Sequence, residues 1–261
     1  MALDYQSSAG VAVVTLSRPE VLNAFDDELG GQLVEAVEQA SLDDAVRCIV
    51  ITGAGRAFSA GEDLAPLAGD YVAGRAPDLG DTLIKRYNPL IRAVTGAPKP
   101  VVAAINGVAA GAGASLALAC DYRVASERAK LMLAFIKVGL IPDSGALWFL
   151  ANMVGVSRAW QLAASGDPLS AQQAFDLGIV HRVVAPEEFE ARWREWAMEL
   201  AQGPTRAFGI TKTLLYGATE RSLSDQLELE ISGQSEAGKT RDHLEGVQAF
   251  FDKRPPKFEG R

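Results

Sequence analysis

The regular pattern of the chain starts at VAVVTLS (11–17), a short and almost wholly apolar run broken by Arg18-Pro19, which predicts a buried strand. From Asp26 to Leu42 the period changes. Leu29, Leu33, Val34 and Val37 recur at helical spacing there. RCIVITG (47–53) predicts a second buried strand ending on glycine, and FSAGEDL (58–64) a loop running towards a helix. Residues 66–80, PLAGDYVAGRAPDLG, are rich in Gly, Pro and Ala and predict a mobile surface loop. A helix over 81–95 follows, then a strand in PKPVVAAING (98–107) stopped by Asn-Gly. GAGASLALACD (111–121) begins with glycines and continues as a helix, with shorter strands expected at YRVAS and AKLMLAF. After Asp143 the pattern is mostly helical, and 187–253 carries almost no strand signal. Strands alternating with helices predict an α/β layered core followed by an appended helical layer.

Composition adds boundaries. The 261 residues suffice for one large domain or one domain with an appendage. A net charge of −8 argues against a nucleic-acid-binding surface, though a local basic patch can still hold an anion. Cys48 and Cys120 sit in apolar segments and are expected as buried reduced thiols; two cysteines make neither a disulfide framework nor a zinc spacing. The N-terminus lacks the basic start and apolar stretch of a secretion signal. No run approaches the ~18 apolar residues of a membrane span. Cytoplasmic location is therefore the expectation. His181, in the strand-like GIVHRVV, and His243, in RDHLEGV, have no nucleophile or ligand spacing around them and read as structural.

Two glycine-bearing elements follow strands: Ser59-Ala60-Gly61-Glu62-Asp63, and Gly107 to Gly113. Neither has the order of a dinucleotide or phosphate loop, and GAGASLA is not a nucleophile elbow. Such loops expose backbone N–H groups at a helix N-terminus, where a developing oxyanion can be held. Alternatively, the glycines only permit tight turns and close helix packing. In AFIKVGLIPDSGALWFL (134–150) the single acid is Asp143, and between Asp121 and Asp167 the only other acid is Glu127. Asp143 reads either as a helix N-cap or as a base in an apolar pocket.

In order along the chain, RPEVLNAF (18–25), ITGAGRAFSAGEDL (51–64), PKPVVAAINGVAAGAGASLALACD (98–121), GLIPDSG (139–145), DLGIVHRVV (176–184) and EGVQAFFDKRPPKFEGR (245–261) resemble the crotonase (enoyl-CoA hydratase/isomerase) superfamily. The resemblance covers nearly the whole chain. It implies an α/β crotonase (ClpP-like) spiral of repeated ββα units over 1–190, with a helical trimerisation region over 191–261. It also implies homotrimers or homohexamers and a coenzyme A thioester substrate, with no metal or further cofactor.

By the same resemblance, the N–H groups of Glu62 and Ala112 hold the thioester oxygen, the Ala112 methyl crowding it where relatives often have glycine. The backbone around Ala60 holds the adenine, Arg18 and Lys253 meet the CoA phosphates, and Phe135 walls the acyl group. Lys253 is expected to serve its own or a neighbouring subunit's site. The two glutamates of enoyl-CoA hydratases are replaced by Ser115 and Phe135. Asp143 stands where isomerases and a dehalogenase of the superfamily keep a working Asp. Together with RYNPLIR (86–92) and QLELE (226–230), these residues are similar to the 1,2-epoxyphenylacetyl-CoA isomerase group. The departure is PDSGALW in place of PDSGGTW or PDCGGTW, which puts Ala146 and Leu147 at the acyl pocket.

The expected activity is accordingly an acyl-CoA isomerase with Asp143 as the base, moving a double bond or isomerising the epoxide ring. A 2-enoyl-CoA hydratase using Glu62 as its spare acid, and a non-catalytic acyl-CoA-binding subunit, stand as alternatives. Burial among Phe135, Leu140 and Ile141 would raise the Asp143 pKa, and a helix N-terminus would lower it.

Overall fold

The computed structural model describes residues 2–261. Its first elements are β1 (Leu3–Ser8), β2 (Val11–Leu16), α1 (Asp27–Leu42), β3 (Cys48–Gly53) and β4 (Ala57–Ser59). Helices α2 (Ala68–Val72), α3 (Leu79–Thr82) and α4 (Asn88–Gly96) follow, then β5 (Val101–Ile105), β6 (Val108–Ala110), α5 (Ala112–Ala119), β7 (Tyr122–Ser126) and β8 (Lys130–Met132). The last third holds α6 (Ala146–Ser165, interrupted at Gly155), β9 (Leu169–Ser170), α7 (Ala171–Asp176), β10 (Arg182–Val184) and helices α8 (Phe189–Ala201), α9 (Thr205–Tyr216), α10 (Leu223–Ala237) and α11 (Arg241–Asp252).

Three consecutive strand pairs build the core. In β3/β4, β5/β6 and β7/β8 the first strand joins a six-stranded sheet of order β1-β2-β3-β5-β7-β10, and the second joins a four-stranded sheet of order β4-β6-β8-β9. Each pair is followed by helix, which makes the repeated ββα spiral of the crotonase fold. Within the larger sheet only the β1–β2 hairpin is antiparallel, closing through Ala9 and Gly10, both at positive φ (51° and 81°) as a tight two-residue turn requires.

Alternation along each parallel strand divides the apolar residues between two faces. Val14, Leu16, Ile49, Ile51, Val101, Ala103 and Ile105 pack in one cluster with α1, α4, α5 and α6. Val11, Val13, Cys48, Val50, Val102 and Ala104 pack in a second. Phe189, Trp193, Ala197, Leu200 and Ala201 of α8 close that second face, so α8 crosses position 190 as part of the core. Both faces of the central strands β2, β3 and β5 are thus covered, which is why they read as unbroken apolar runs.

The differences from expectation have local causes. Asn106-Gly107 does not end the strand segment but turns it, and Val108–Ala110 continues as β6 in the other sheet. Gly107 is needed there, because a Cβ would meet Arg56 O at 2.0 Å. Residues 57–59 are a strand rather than a loop, and of AKLMLAF only Lys130–Met132 is extended, the chain then winding into a 3-10 turn at Ala134–Val138. The segment 66–80 contains α2, and the helix expected over 81–95 starts at Leu79 and includes one π-helical stretch, Leu83–Tyr87. No helix among the described residues is long and apolar enough to cross a membrane.

Candidate active site

Strand order brings the glycine loops together. β4, β6 and β8 are parallel neighbours, with Ala57 opposite Val108 and Ala109 opposite Leu131. Their C-terminal ends therefore lie side by side and deliver Gly61-Glu62, Gly111-Ala112 and Phe135 to one place, the end of a parallel sheet where ligands are usually bound. The approach is close. A Cβ at Gly61 would lie 2.8 Å from Ala110 O and 3.3 Å from Ala112 N, and one at Gly111 would lie 3.9 Å from both Gly61 Cα and Phe135 Cζ. Both glycines have positive φ, 92° and 50°, so any side chain would strain the turn as well as fill it. The same closeness recurs at Gly113, where a Cβ would meet Ser59 O at 2.5 Å.

Each loop presents one N–H. The Phe25 N–H donates to Gly61 O at 2.7 Å and the Asp63 N–H donates to Phe25 O at 2.9 Å. That pairing leaves the intervening Glu62 N–H without a protein acceptor among the described residues. Ala112 is the first residue of α5, and the first N–H groups of a helix have no partner within it. The two sequence-expected donors are thus on abutting loops. Ala112 itself is 5% exposed and packs with the core. Ser115 is fully buried and its hydroxyl donates to Gly111 O at 3.2 Å, while Phe135 is 9% exposed. Ala60 is anchored by its N–H on Leu22 O at 2.9 Å.

Asp143 does not cap a helix with its side chain. Ser144 and Gly145 both take positive φ (53° and 76°), and α6 begins at Ala146 with Gly145 as its N-cap. Only the Asp143 carbonyl reaches the helix, accepting from the Ala146 N–H at 3.0 Å. The half-buried carboxylate accepts one hydrogen bond, from Ser144 Oγ at 2.8 Å. Burial raises its pKa above the ordinary carboxylate value and the Glu62 charge adds to that, against the lowering by the Ser144 hydroxyl. Leu140 and Ile141, expected around it, are themselves 37% and 75% exposed.

Glu62 is held tightly. Arg86 Nη1 donates to its two carboxylate oxygens at 2.8 and 2.7 Å, and the Tyr87 hydroxyl donates to Oε2. Arg86 and Tyr87 lie 24 and 25 residues away in sequence, and no spacing rule could have joined them to Glu62. Asn23, equally unforeseen, is fully buried; its side-chain N–H donates to Ala54 O and Ala57 O, fixing the start of β4.

The cation candidates are placed differently. Arg18 is engaged within the fold, by Ala24 O at 2.6 Å, Asp63 at 2.9 Å and Asp26 at 3.1 Å. Lys253 is exposed in a left-handed turn at the end of α11, and no hydrogen bond or ion pair ties that helix to Glu62, Ala112 or Asp143 among the described residues. His181 is half-buried and its Nδ1 accepts the Arg123 N–H, and His243 is exposed on α11. The Cys48 and Cys120 thiols are buried, which pushes the former far up and the latter to about 12.

Comparison with known proteins agrees with this geometry. Residues 6–261 match the family model described as enoyl-CoA hydratase/isomerase. The chain is 46% identical over 252 residues to the 1,2-epoxyphenylacetyl-CoA isomerase of Escherichia coli K12, covering 97% of this chain and 96% of that one. It is 43% identical over 257 residues to a Rhodobacter capsulatus protein described as "Probable enoyl-CoA hydratase", covering 98% and 97%. The crystal structure of an enoyl-CoA hydratase from Polaromonas sp. JS666 superposes with a TM-score of 0.92 at 34% identity, over 99% of this chain and 100% of that one. End-to-end similarity of this kind, on a chain whose three parallel strand ends meet around two free N–H groups, leaves one conclusion: the protein belongs to the enoyl-CoA hydratase/isomerase (crotonase) family.

Proposed function

We propose that the protein is an acyl-CoA isomerase in which Asp143 moves the proton while the N–H groups of Glu62 and Ala112 hold the enolate oxygen. The observation that carries this reading is the division of labour between two acids. Asp143 is half-buried, raised in pKa and bonded only to Ser144, as a base that must gain and lose a proton requires. Glu62 is bonded as an anion by Arg86 and Tyr87, which ill suits it to the second acid-base role that hydration needs. In a 3-enoyl-CoA, Asp143 takes the proton from C2, the thioester oxygen carries the charge, and the same carboxyl returns the proton to C4. The loss of one oxyanion donor typically costs ~3 kcal/mol in the transition state.

The 46% relative named as a 1,2-epoxyphenylacetyl-CoA isomerase supports an aromatic epoxide thioester as an alternative substrate for the same base. A hydratase reading draws on one specific observation: a second carboxylate, that of Glu62, adds to the raising of the Asp143 pKa. A homotrimer or homohexamer goes with either reading. Support comes from α11, where Leu244, Phe250 and Phe251 are 67%, 79% and 71% exposed, and where Lys253 would then face a neighbour's CoA.

The test is a paired assay of wild type and Asp143→Asn. One arm follows conversion of a 3-enoyl-CoA to the 2-enoyl isomer, the other hydration of crotonyl-CoA. Isomerisation lost in the variant, with negligible hydration in both, supports the reading; hydration that survives the substitution overturns it.

A further inference from the structure

The side chain of Arg86 lies across α1 in a space made for it. A Cβ at Gly30 would sit 2.4 Å from Arg86 Cγ and 2.8 Å from Cδ, and glycine in a helix interior is unfavourable relative to alanine. From that seat Nε donates to Asp27 Oδ1 at 3.1 Å, Nη2 reaches the same oxygen, and Nη1 grips Glu62. Asp27 is in the first turn of α1, where a carboxylate is favoured by the helix dipole and needs no second cation. Arg86 itself belongs to the π-helical stretch between α3 and α4, a geometry frequent at functional sites. Its neighbour Tyr87 is 4% exposed, packs edge-on to Phe25 at 5.8 Å and donates to Glu62. Phe25 in turn pairs with the backbone of Gly61 and Asp63. Residue 62 is therefore fixed from both ends, backbone through Phe25 and side chain through Arg86 and Tyr87.

We propose that Arg86, seated on Gly30 and anchored to Asp27, is a positioning residue that aims the Glu62 N–H at the enolate oxygen and keeps the Glu62 carboxylate as a fixed charge beside Asp143. This rests on the reading of Asp143 as the base. On its own segment Ser144 Oγ donates to that base; Ser115 of α5 spends its hydroxyl on Gly111 O, and the buried Phe135, Ala146 and Phe149 on the adjoining segments are apolar. Among the described residues Glu62 is the one charge felt there.

The assay is kcat, KM and the acid limb of kcat/KM on the full-length protein, using whichever thioester reaction the wild type performs. Arg86→Gln should lower kcat roughly 100-fold, the scale of a small misplacement of a catalytic group, with KM little changed. It should also move the acid limb to higher pH, because Glu62 loses its cation. Glu62→Gln should move the limb the other way. Arg86→Lys, which keeps the charge without the fork, should restore the limb more fully than kcat. Gly30→Ala evicts the Arg86 side chain and should reproduce Arg86→Ala, yet add no further loss when both are combined. Unchanged kcat and acid limb in Arg86→Gln, or full additivity with Gly30→Ala, overturns the proposal. An active Asp143→Asn would instead overturn the function reading, so the two failures are distinct.

Discussion

The backbone N–H of Arg123 donates to Nδ1 of His181 at 3.1 Å, and the imidazole is thereby committed to its neutral form inside the fold. Burial and the nearby Arg123 guanidinium hold its pKa down to about 4, from 6.5. A folded-state value below the unfolded one means that the unfolded chain binds the proton more readily. Stability should therefore fall as pH drops below 6.5, with the loss complete near 4. Urea unfolding across this window checks it. His181→Gln should flatten the dependence; an unchanged slope would assign the acid sensitivity elsewhere.

Asp143 works in the opposite sense. Its folded-state pKa is raised, so the ionised form strains the fold and that cost is present at neutral pH. Asp143→Asn should reduce turnover by roughly 10²–10⁴-fold while raising Tm, with CoA binding retained. A fall in Tm together with weak CoA binding would make Asp143 structural.

Gly61→Ala puts a methyl 2.8 Å from Ala110 O in a residue at φ 92°. The two abutting loops must part to accommodate it. We expect kcat to drop by about 10²–10³-fold with the far-ultraviolet spectrum unchanged. Full activity would show that the abutting loops do not hold the oxygen.

Lys212 on α9 has a side chain 7% exposed, with Nζ donating to Val94 O and to Asp121 at 2.8 Å each. Asp121 also accepts from the Val101 N–H and the Tyr216 hydroxyl. Lys212→Met leaves the Asp121 carboxylate, only 16% exposed, without its Lys212 partner and should destabilise the protein by about 3–5 kcal/mol in chemical denaturation. Adding Asp121→Asn should recover part of this.

The sequence made the long strands and the lone acid legible, for different reasons. β2 and β3 are buried on both faces and so read as apolar runs, and α1 has enough turns to show its period, with Asp26 capping it as the pattern requires. β4, β6 and β8 have three residues each, too few for a period of two to declare itself. Asp143 stood out because its surroundings are apolar, yet its competing role as a cap was decided by Ser144 and Gly145, whose left-handed backbone no composition reveals. Leu140 and Ile141, expected around Asp143, are themselves exposed, because apolar residues in a turn need not face inward. The Arg86–Glu62–Asp27 contacts span 24 and 59 residues, and only the folded chain brings them together.

The three parallel ends of β4, β6 and β8 also bear on how such a protein changes over generations. The ladder hydrogen bonds are made by Ala57–Ser59, Val108–Ala110 and Lys130–Met132, whereas the residues of the proposed site lie past those ends, at 62, 112, 115, 135 and 143. Those positions can vary without disturbing strand register, so an acid can be gained at one loop and lost at another while the two N–H groups stay in place. On the proposed reading, novelty can arise in a few side chains past the strand ends on a frame that need not be reinvented, and relatives with differently named reactions can share one backbone.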